Sequence, residues 1–381
     1  MRKVFISVLT VIMLLFLVLP VFAECADNIP FDVNAKSAVL MDMSTGTIVY
    51  AKNADSALPP ASVTKIMTLL LFMEEVDCGN ISLDEEISVS EYAASMGGSQ
   101  VFLEPGETMK AEDLLKSVVI ASANDAAVTL AEKVAGSEEA FVNRMNERAA
   151  ELGMVNTHFE NVTGLDDDTV KHLTSSYDIA LMSQALLSHE KITEYSTIWM
   201  DTIRNGEFGL TNTNRLVRFY NGATGLKTGS TSKAGFCMSA NAKRDGMHLI
   251  AVIMGAPTRD ARNEAAKQLL DYGFANYSLY TDENTDSGEL TVCGGVKDSC
   301  ATEYEPYKAL LAKGKSKAVK KEFLLSDSVS APIKKGDTVG TVRYSCGSEI
   351  LSETEIKASE DIERIGFFGM LSRLFGIFFL K

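Results

Sequence analysis

The order of strand-like and helical segments restricts the fold of this 381-residue chain more than any other feature. Residues 37–50 alternate in polarity around Ser44-Thr45-Gly46 and read as a β-hairpin. The next clear strand-like runs come only at 235–242 and 248–254, joined by an Arg244-Asp245-Gly246 turn. Between them the apolar spacing is helical, at 63–75, 111–121, 126–134, 138–152 (ending at Gly153) and 177–187. A further helix is expected at 259–272. Strands need partners, so the early hairpin and the late strands must share one antiparallel sheet, with the helical cluster on one side. The expectation is an α/β domain over residues 24–276.

What flanks this domain has a different character. Residues 277–358 carry short runs at 289–293, 318–325, 338–344 and 349–356 between Gly and charged turns, which predicts a small all-β domain. Its Lys308, Lys313, Lys315, Lys317, Lys320 and Lys321 read as a solvated turn. Residues 1–23 read as a signal peptide: Arg2 and Lys3, an apolar run over 4–18, then Val21-Phe22-Ala23. The last segment, 359–381, predicts an amphipathic helix in which Gly366, Gly369, Arg373 and Gly376 form a narrow stripe and Phe367, Phe368, Leu371, Leu374, Phe375 and Phe378 cover the rest. It is short for a span and interrupted by Arg373, so a helix lying in the membrane surface fits better.

Composition then removes function classes. A net charge of −15 argues against nucleic acid as a partner. The four histidines (His158, His172, His189, His248) have no close ligand spacing, so no metal is expected, and no dinucleotide or P-loop motif calls for a cofactor. His172 reads as a packed or surface side chain. Export permits disulfides among Cys25, Cys78, Cys237, Cys293, Cys300 and Cys346, but spacing does not set connectivity; Cys293 and Cys300 flank a Gly-Gly turn and could pair, while Cys237 reads as a small apolar residue.

Three short motifs carry the chemistry: Ser62-Val63-Thr64-Lys65, Ser122-Ala123-Asn124 and Lys227-Thr228-Gly229. Each is weak alone. Ser188 with Lys191 and Ser230 with Lys233 repeat the first, and Ser239 with Asn241 repeats the second. Setting separates them, because only Ser62 follows Pro59-Pro60-Ala61 and opens an apolar run, as a helix start does. Three residues apart on a helix, Ser62 and Lys65 share a face. That supplies a nucleophile and a base, provided burial and a second cation, Lys227, depress the lysine pKa. Ser122 is placed to relay a proton to the leaving nitrogen, and Asn124 to bind a substrate amide; Asp125 is assigned to ordinary helix capping. Lys227, Thr228 and Thr231 are placed to hold a terminal carboxylate. Gly229 lets backbone come close, and the N–H groups of Ser62 and Ser230 are expected to bind an oxyanion.

With these motifs the chain resembles the low-molecular-weight penicillin-binding proteins, the serine-type D-alanyl-D-alanine carboxypeptidases. The likeness extends to Ile66-Met67-Thr68, Asn124-Asp125-Ala126, Gly225-Leu226 before Lys227, Ala234-Gly235-Phe236, Thr157-His158-Phe159 and Gly164-Leu165-Asp166. Some members carry a histidine where this chain has Thr163. The resemblance implies a β-lactamase/transpeptidase-like catalytic domain, removal of the terminal D-alanine of the peptidoglycan stem pentapeptide through a Ser62 acyl-enzyme, and inhibition by β-lactams. With the leader and tail it implies a site at the outer face of the cytoplasmic membrane. Two alternatives share the motifs or the fold, a class A-like β-lactamase and a non-catalytic wall-binding module. Against the first, no clear Glu-x-x-x-Asn element with a deacylating glutamate is visible, since Glu160-Asn161 has the wrong spacing, and a long remainder follows Gly229. Against the second stands the complete set Ser62, Lys65, Ser122, Asn124 and Lys227.

Overall fold

A computed structural model describes residues 31–166 and 169–379. The leader and Cys25 lie outside them.

Strands β1 (Ser37–Asp42) and β2 (Ile48–Lys52) form the expected hairpin. Its turn is tied by the Asp42 carboxylate, which accepts from Thr45 N at 2.9 Å and Thr45 Oγ1 at 2.8 Å. Late in the chain come β3 (Ala223–Thr231), β4 (Gly235–Arg244) and β5 (Met247–Ala256). The five make one antiparallel sheet in the order β2-β1-β5-β4-β3, with Ala38 opposite Ile253, so distant segments do share a sheet. The run of β5 is apolar on both faces because both are covered. Leu249, Ala251 and Ile253 face α6 (Arg259–Asn276) through Ala266, Leu269 and Leu270, while Ile250, Val252 and Met254 face the helical lobe.

That lobe is built around α1 (Lys65–Asp77), whose Ile66–Met73 stretch is buried all round, as a helix apolar on every side must be. Around it lie α2 (Ala111–Lys116), α3 (Asn124–Ala135), α4 (Glu138–Glu151) and α5 (Ser176–Leu187). The expected helix over 111–121 is α-helical only to Lys116; Ser117–Ala121 widens to a π-turn and ends at Ser122, which is left-handed. Ser137, Ser175 and Thr258 cap α4, α5 and α6 with side-chain oxygens.

Several strands escaped the sequence reading, and one of them carries a motif. Lys227-Thr228-Gly229 does not precede the strand system but lies inside β3, its edge strand. With Gly225, Thr224 and Gly229 the segment lacks an alternating apolar signature, and pairing with β4 (Gly229 opposite Cys237) is what makes it a strand.

The second domain holds β6 (Tyr277–Asp282), β7 (Asp286–Cys293), β8 (Ser299–Tyr304), β9 (Tyr307–Ala312), β10 (Val319–Leu325), β11 (Ser328–Ser330), β12 (Thr338–Cys346) and β13 (Glu349–Ala358). Six of them form a sheet in the order β10-β12-β13-β8-β7-β11, while β6 and β9 pair as a separate ribbon. The ribbon joins two cores: Leu279 and Leu310 pack on the catalytic domain, and Tyr280 and Tyr307 pack on the β-domain. Lys321 binds Asp282 at 2.6 Å, whereas Lys308, Lys313, Lys315, Lys317 and Lys320 are solvated, as expected.

Two further expectations change. Cys293 and Cys300 are free. Antiparallel pairing of β7 with β8 puts Leu290 opposite Cys300 on the buried face, and the pleat turns Cys293 to the exposed one. The tail helix, α7 (Phe367–Phe379), starts later than expected, because Ile362 is buried in the β-domain core and bridges Ile333. Phe367, Phe368, Met370, Leu371, Leu374 and Phe375 are exposed, and Arg373 binds Asp298 at 2.5 Å and the Val296 carbonyl at 2.9 Å. No helix among the described residues is long and apolar enough to cross a membrane.

Candidate active site

Ser62 lies in a 3₁₀ turn (Ala61–Thr64) that leads into α1, beside the edge strand β3. Ala61 is held at φ +50°, a strained value that turns the chain sharply before the serine. Backbone N–H groups of a first helical turn lack intrahelical partners, and the Ser62 N–H belongs to such a turn. β3 passes so close that a Cβ on Gly229 would fall 2.7 Å from the Ser62 nitrogen, which is why glycine is needed there.

One turn on, Lys65 is fully buried. Its Nζ lies 3.0 Å from Ser62 Oγ, 2.6 Å from Asn124 Oδ1 and 2.7 Å from the Thr163 carbonyl oxygen. Burial, and then the charge of Lys227, push its pKa well below the ordinary lysine value. Opposite, Lys227 Nζ donates to Ser122 Oγ at 2.8 Å and to the Thr228 carbonyl at 2.9 Å. Burial and the neighbouring Arg262 push the Lys227 pKa down to about 7.

The structure thus brings Ser62, Lys65, Ser122, Asn124, Lys227, Thr228 and Gly229 together. Two expected roles meet other partners. Asn124 is buried, with Oδ1 on Lys65 and Nδ2 donating to the Gly97 carbonyl at 2.7 Å, so it touches Lys65 rather than the open cleft. Thr231 Oγ1 bonds Asp166 Oδ2, and Lys233 donates to the Asp166 carbonyl, tying β3 to the 164–166 segment. Asp125 does more than cap a helix: its buried carboxylate accepts the N–H groups of Val101, Leu103 and Ala126.

The cleft itself, about 220 Å³, is lined by Ser62, Ser99, Ser122, Thr213, Thr228, Gly229, Ser230, Arg259 and Arg262. Ser99, Thr213, Arg259 and Arg262 were not found from sequence. Arg262 is buried, donates to the Cys237 carbonyl at 3.5 Å across from Gly229, and has its pKa lowered to about 10 by burial and by Arg259. The signal was two arginines three apart in the first turn of α6, but only the sheet carries that turn to the serine. Thr228 Oγ1 donates to Thr213 Oγ1 at 2.9 Å. Among the described residues no carboxylate pairs with Lys65, Lys227, Arg259 or Arg262, and none lines the cleft. The site is a compact cationic well in an acidic protein, suited to an anion.

Two neighbours are structural. His172 is buried under the Ser62 turn; its Nδ1 accepts the Glu160 N–H at 3.0 Å, so Nε2–H donates to Thr64 Oγ1 at 2.8 Å. Burial, with lesser contributions that include the nearby His158, lowers its pKa to about 4. Cys237 is buried with its thiol pKa pushed up to about 11, as an inert packing residue is.

Residues 23–258 match the D-alanyl-D-alanine carboxypeptidase family, and residues 281–364 match the C-terminal domain of penicillin-binding protein 5. D-alanyl-D-alanine carboxypeptidase DacF of Bacillus subtilis (strain 168) is 44% identical over 349 residues, spanning 90% of this chain and 89% of that protein. The crystal structure of penicillin-binding protein 5 from Haemophilus influenzae superposes with a TM-score of 0.78 at 29% identity, covering 88% of this chain and 99% of that one. Penicillin-binding protein D2 from Listeria monocytogenes, solved in its ampicillin-bound form, gives 0.59 at 32% identity over 65% of this chain and 99% of that one.

Proposed function

The chain belongs to the D-alanyl-D-alanine carboxypeptidase family of hydrolases, and on that footing we propose that it removes the terminal D-alanine of peptidoglycan stem pentapeptides through an acyl-enzyme on Ser62. The coordination of Lys65 carries this reading. A neutral amine has two N–H donors and one lone pair. Asn124 Oδ1 and the Thr163 carbonyl take the two donors, which aims the lone pair at the Ser62 hydroxyl. Ser62 Oγ attacks the penultimate carbonyl carbon as its proton passes to Lys65. The N–H groups of Ser62 and Ser230 hold the oxyanion. Ser122, steered by Lys227, passes a proton to the departing amine as the C–N bond breaks. Water then cleaves the Ser62 ester, returning the serine and releasing the shortened peptide. Lys227, Thr228, Arg259 and Arg262 form the well for the terminal carboxylate, which no carboxylate among the described lining residues opposes. Penicillins, whose ring amide and carboxylate mimic the same dipeptide end, acylate the same serine.

Among the described residues no glutamate lines the cleft, which also speaks against the β-lactamase alternative, since that needs one to deacylate. We assign 24–276 to the catalytic unit and 277–358 to the β-rich domain. The tail is an interfacial anchor: the polar stripe through Arg373 faces the β-domain, and the aromatic side faces away. Export and attachment place the site at the outer face of the cytoplasmic membrane. The test incubates residues 24–365 with labelled penicillin and with a D-alanyl-D-alanine peptide. A Ser62 adduct, lost in Ser62→Ala, and free D-alanine are expected. Neither adduct nor D-alanine overturns the reading, and rapid penicillin turnover with an idle peptide replaces it by the β-lactamase.

A further inference from the structure

The peptide unit between Thr163 and Gly164 meets Lys65 at one end and a side chain outside the cleft at the other. Its carbonyl oxygen accepts from Lys65 Nζ at 2.7 Å. Its N–H donates to Asn161 Oδ1, also at 2.7 Å. A trans peptide is planar, and its C=O and N–H point in opposite directions. Asn161 and Lys65 therefore hold opposite edges of one rigid plate. Any rotation that frees the N–H from Asn161 also swings the carbonyl away from the amine.

The Asn161 side chain is used up within its own turn. Besides the Gly164 N–H, Oδ1 accepts the Thr163 N–H at 3.1 Å and the Thr163 hydroxyl at 3.3 Å, and Nδ2 donates to the Leu165 carbonyl at 2.8 Å. Bonds from an asparagine amide to backbone two and three residues on are what close such a turn. Asn161 is half-buried and is not among the residues that line the cleft. Other contacts set where the segment lies on α1. Thr68 Oγ1 donates to the Val162 carbonyl at 2.8 Å, the Val162 N–H donates to Glu138 Oε1 at 3.0 Å, and Gly164 sits so close to the Ala61 carbonyl that a Cβ there would overlap it. Those contacts fix the position of the segment; the Asn161 amide fixes how the plate is turned.

Resting on the carboxypeptidase reading, in which Lys65 takes the Ser62 proton, we propose that Asn161 is a positioning residue for acylation: through the Thr163–Gly164 peptide it holds the carbonyl that orients the Lys65 amine. It acts through that peptide and touches no reacting atom. With the plate free to turn, Lys65 keeps Asn124 Oδ1 as its one fixed acceptor, and its lone pair is no longer held on the serine hydroxyl. The carboxylate well on β3 and α6 is untouched, so the loss falls on bond formation at Ser62.

The experiment measures the second-order rate of Ser62 acylation by labelled penicillin in the full chain, as wild type, Asn161→Ala and Asn161→Ser. The final amount of label counts folded sites, and each rate is expressed per labelled site, which a merely structural loss of folded protein does not move. Asn161→Ala should acylate about 30- to 100-fold more slowly per site, the scale of a reacting group displaced by up to about 1 Å. A serine hydroxyl accepts the same N–H two residues on, more weakly, so Asn161→Ser should recover to within about tenfold of wild type. A rate per site in Asn161→Ala within about threefold of wild type, or an Asn161→Ser no faster than Asn161→Ala, overturns this inference and leaves the carboxypeptidase reading intact. If Asn161→Ala yields no labelled sites, Asn161→Ser decides alone: a loss of about three- to tenfold per site supports the inference, and the wild-type rate overturns it. A wild type that is never acylated overturns both.

Discussion

Gly229→Ala adds a single methyl group at the closest backbone approach in the site, so its cost can be worked from distances. The new Cβ would lie 2.7 Å from the Ser62 nitrogen, 2.9 Å from the Val63 nitrogen and 3.0 Å from the Pro60 carbonyl oxygen. All three are main-chain atoms of the turn that bears the nucleophile, so no side chain can rotate away. Comfortable non-bonded contact between heavy atoms begins near ~3.5 Å, so β3 and the Ser62 turn must part by roughly 0.5–0.8 Å. A misplacement of about 1 Å in a reacting geometry costs on the order of 100-fold in rate. The second-order rate of Ser62 acylation by labelled penicillin should therefore fall about 30- to 100-fold. Overpacking should also remove about 1–3 kcal/mol of stability, read as a lower urea midpoint, with the protein still folded at assay temperature. A folded Gly229→Ala enzyme that acylates within about threefold of wild type would refute the claim that this contact sets the nucleophile against the strand.

Other consequences follow from the charges and the tail. The rate parameter kcat/KM for D-alanine release should rise as pH climbs through the depressed pKa of Lys65, whose free amine is the base, and fall as pH passes about 7, where Lys227 in the empty site loses its charge. A bound carboxylate raises the Lys227 pKa, so the basic limb of kcat should lie higher; a kcat/KM that is flat from pH 6 to pH 10 would contradict this. His172 has a folded pKa near 4 against an ordinary 6.5. The unfolded chain therefore binds the extra proton between those values, and stability that is complete above about pH 6.5 is lost as pH falls toward 4. Between pH 7 and pH 5 this loss is about 2 kcal/mol by urea denaturation, and an equal loss in His172→Gln would remove the attribution. Deleting residues 366–381 from leader-free protein, which spares buried Ile362, should move it from the membrane pellet to the supernatant without lowering the thermal midpoint; continued sedimentation with membranes would sink the anchor.

The pieces legible in the sequence are those written at short spacing. Ser62 and Lys65 are three residues apart on one helix face, and the Ile66–Met73 run states by itself that its helix is central. The hairpin at 37–50 and the two-faced apolar strand β5 were likewise visible from period and turn residues. Asn124 and the Thr163 carbonyl reach Lys65 from 59 and 98 positions away, and Arg262 joins Lys227 only because α6 packs over the sheet that contains β3. The strand character of Lys227-Thr228-Gly229 comes from pairing with β4, and the failure of Cys293 to meet Cys300 comes from the pleat. Residue types and local periodicity determined the chemistry this protein carries and the kinds of element that carry it. Tertiary structure alone decided which backbone carbonyl meets Lys65 and which arginines come to line the cleft. Those contacts join segments far apart in the chain, and their geometry depends on sheet register and helix packing that no short spacing records.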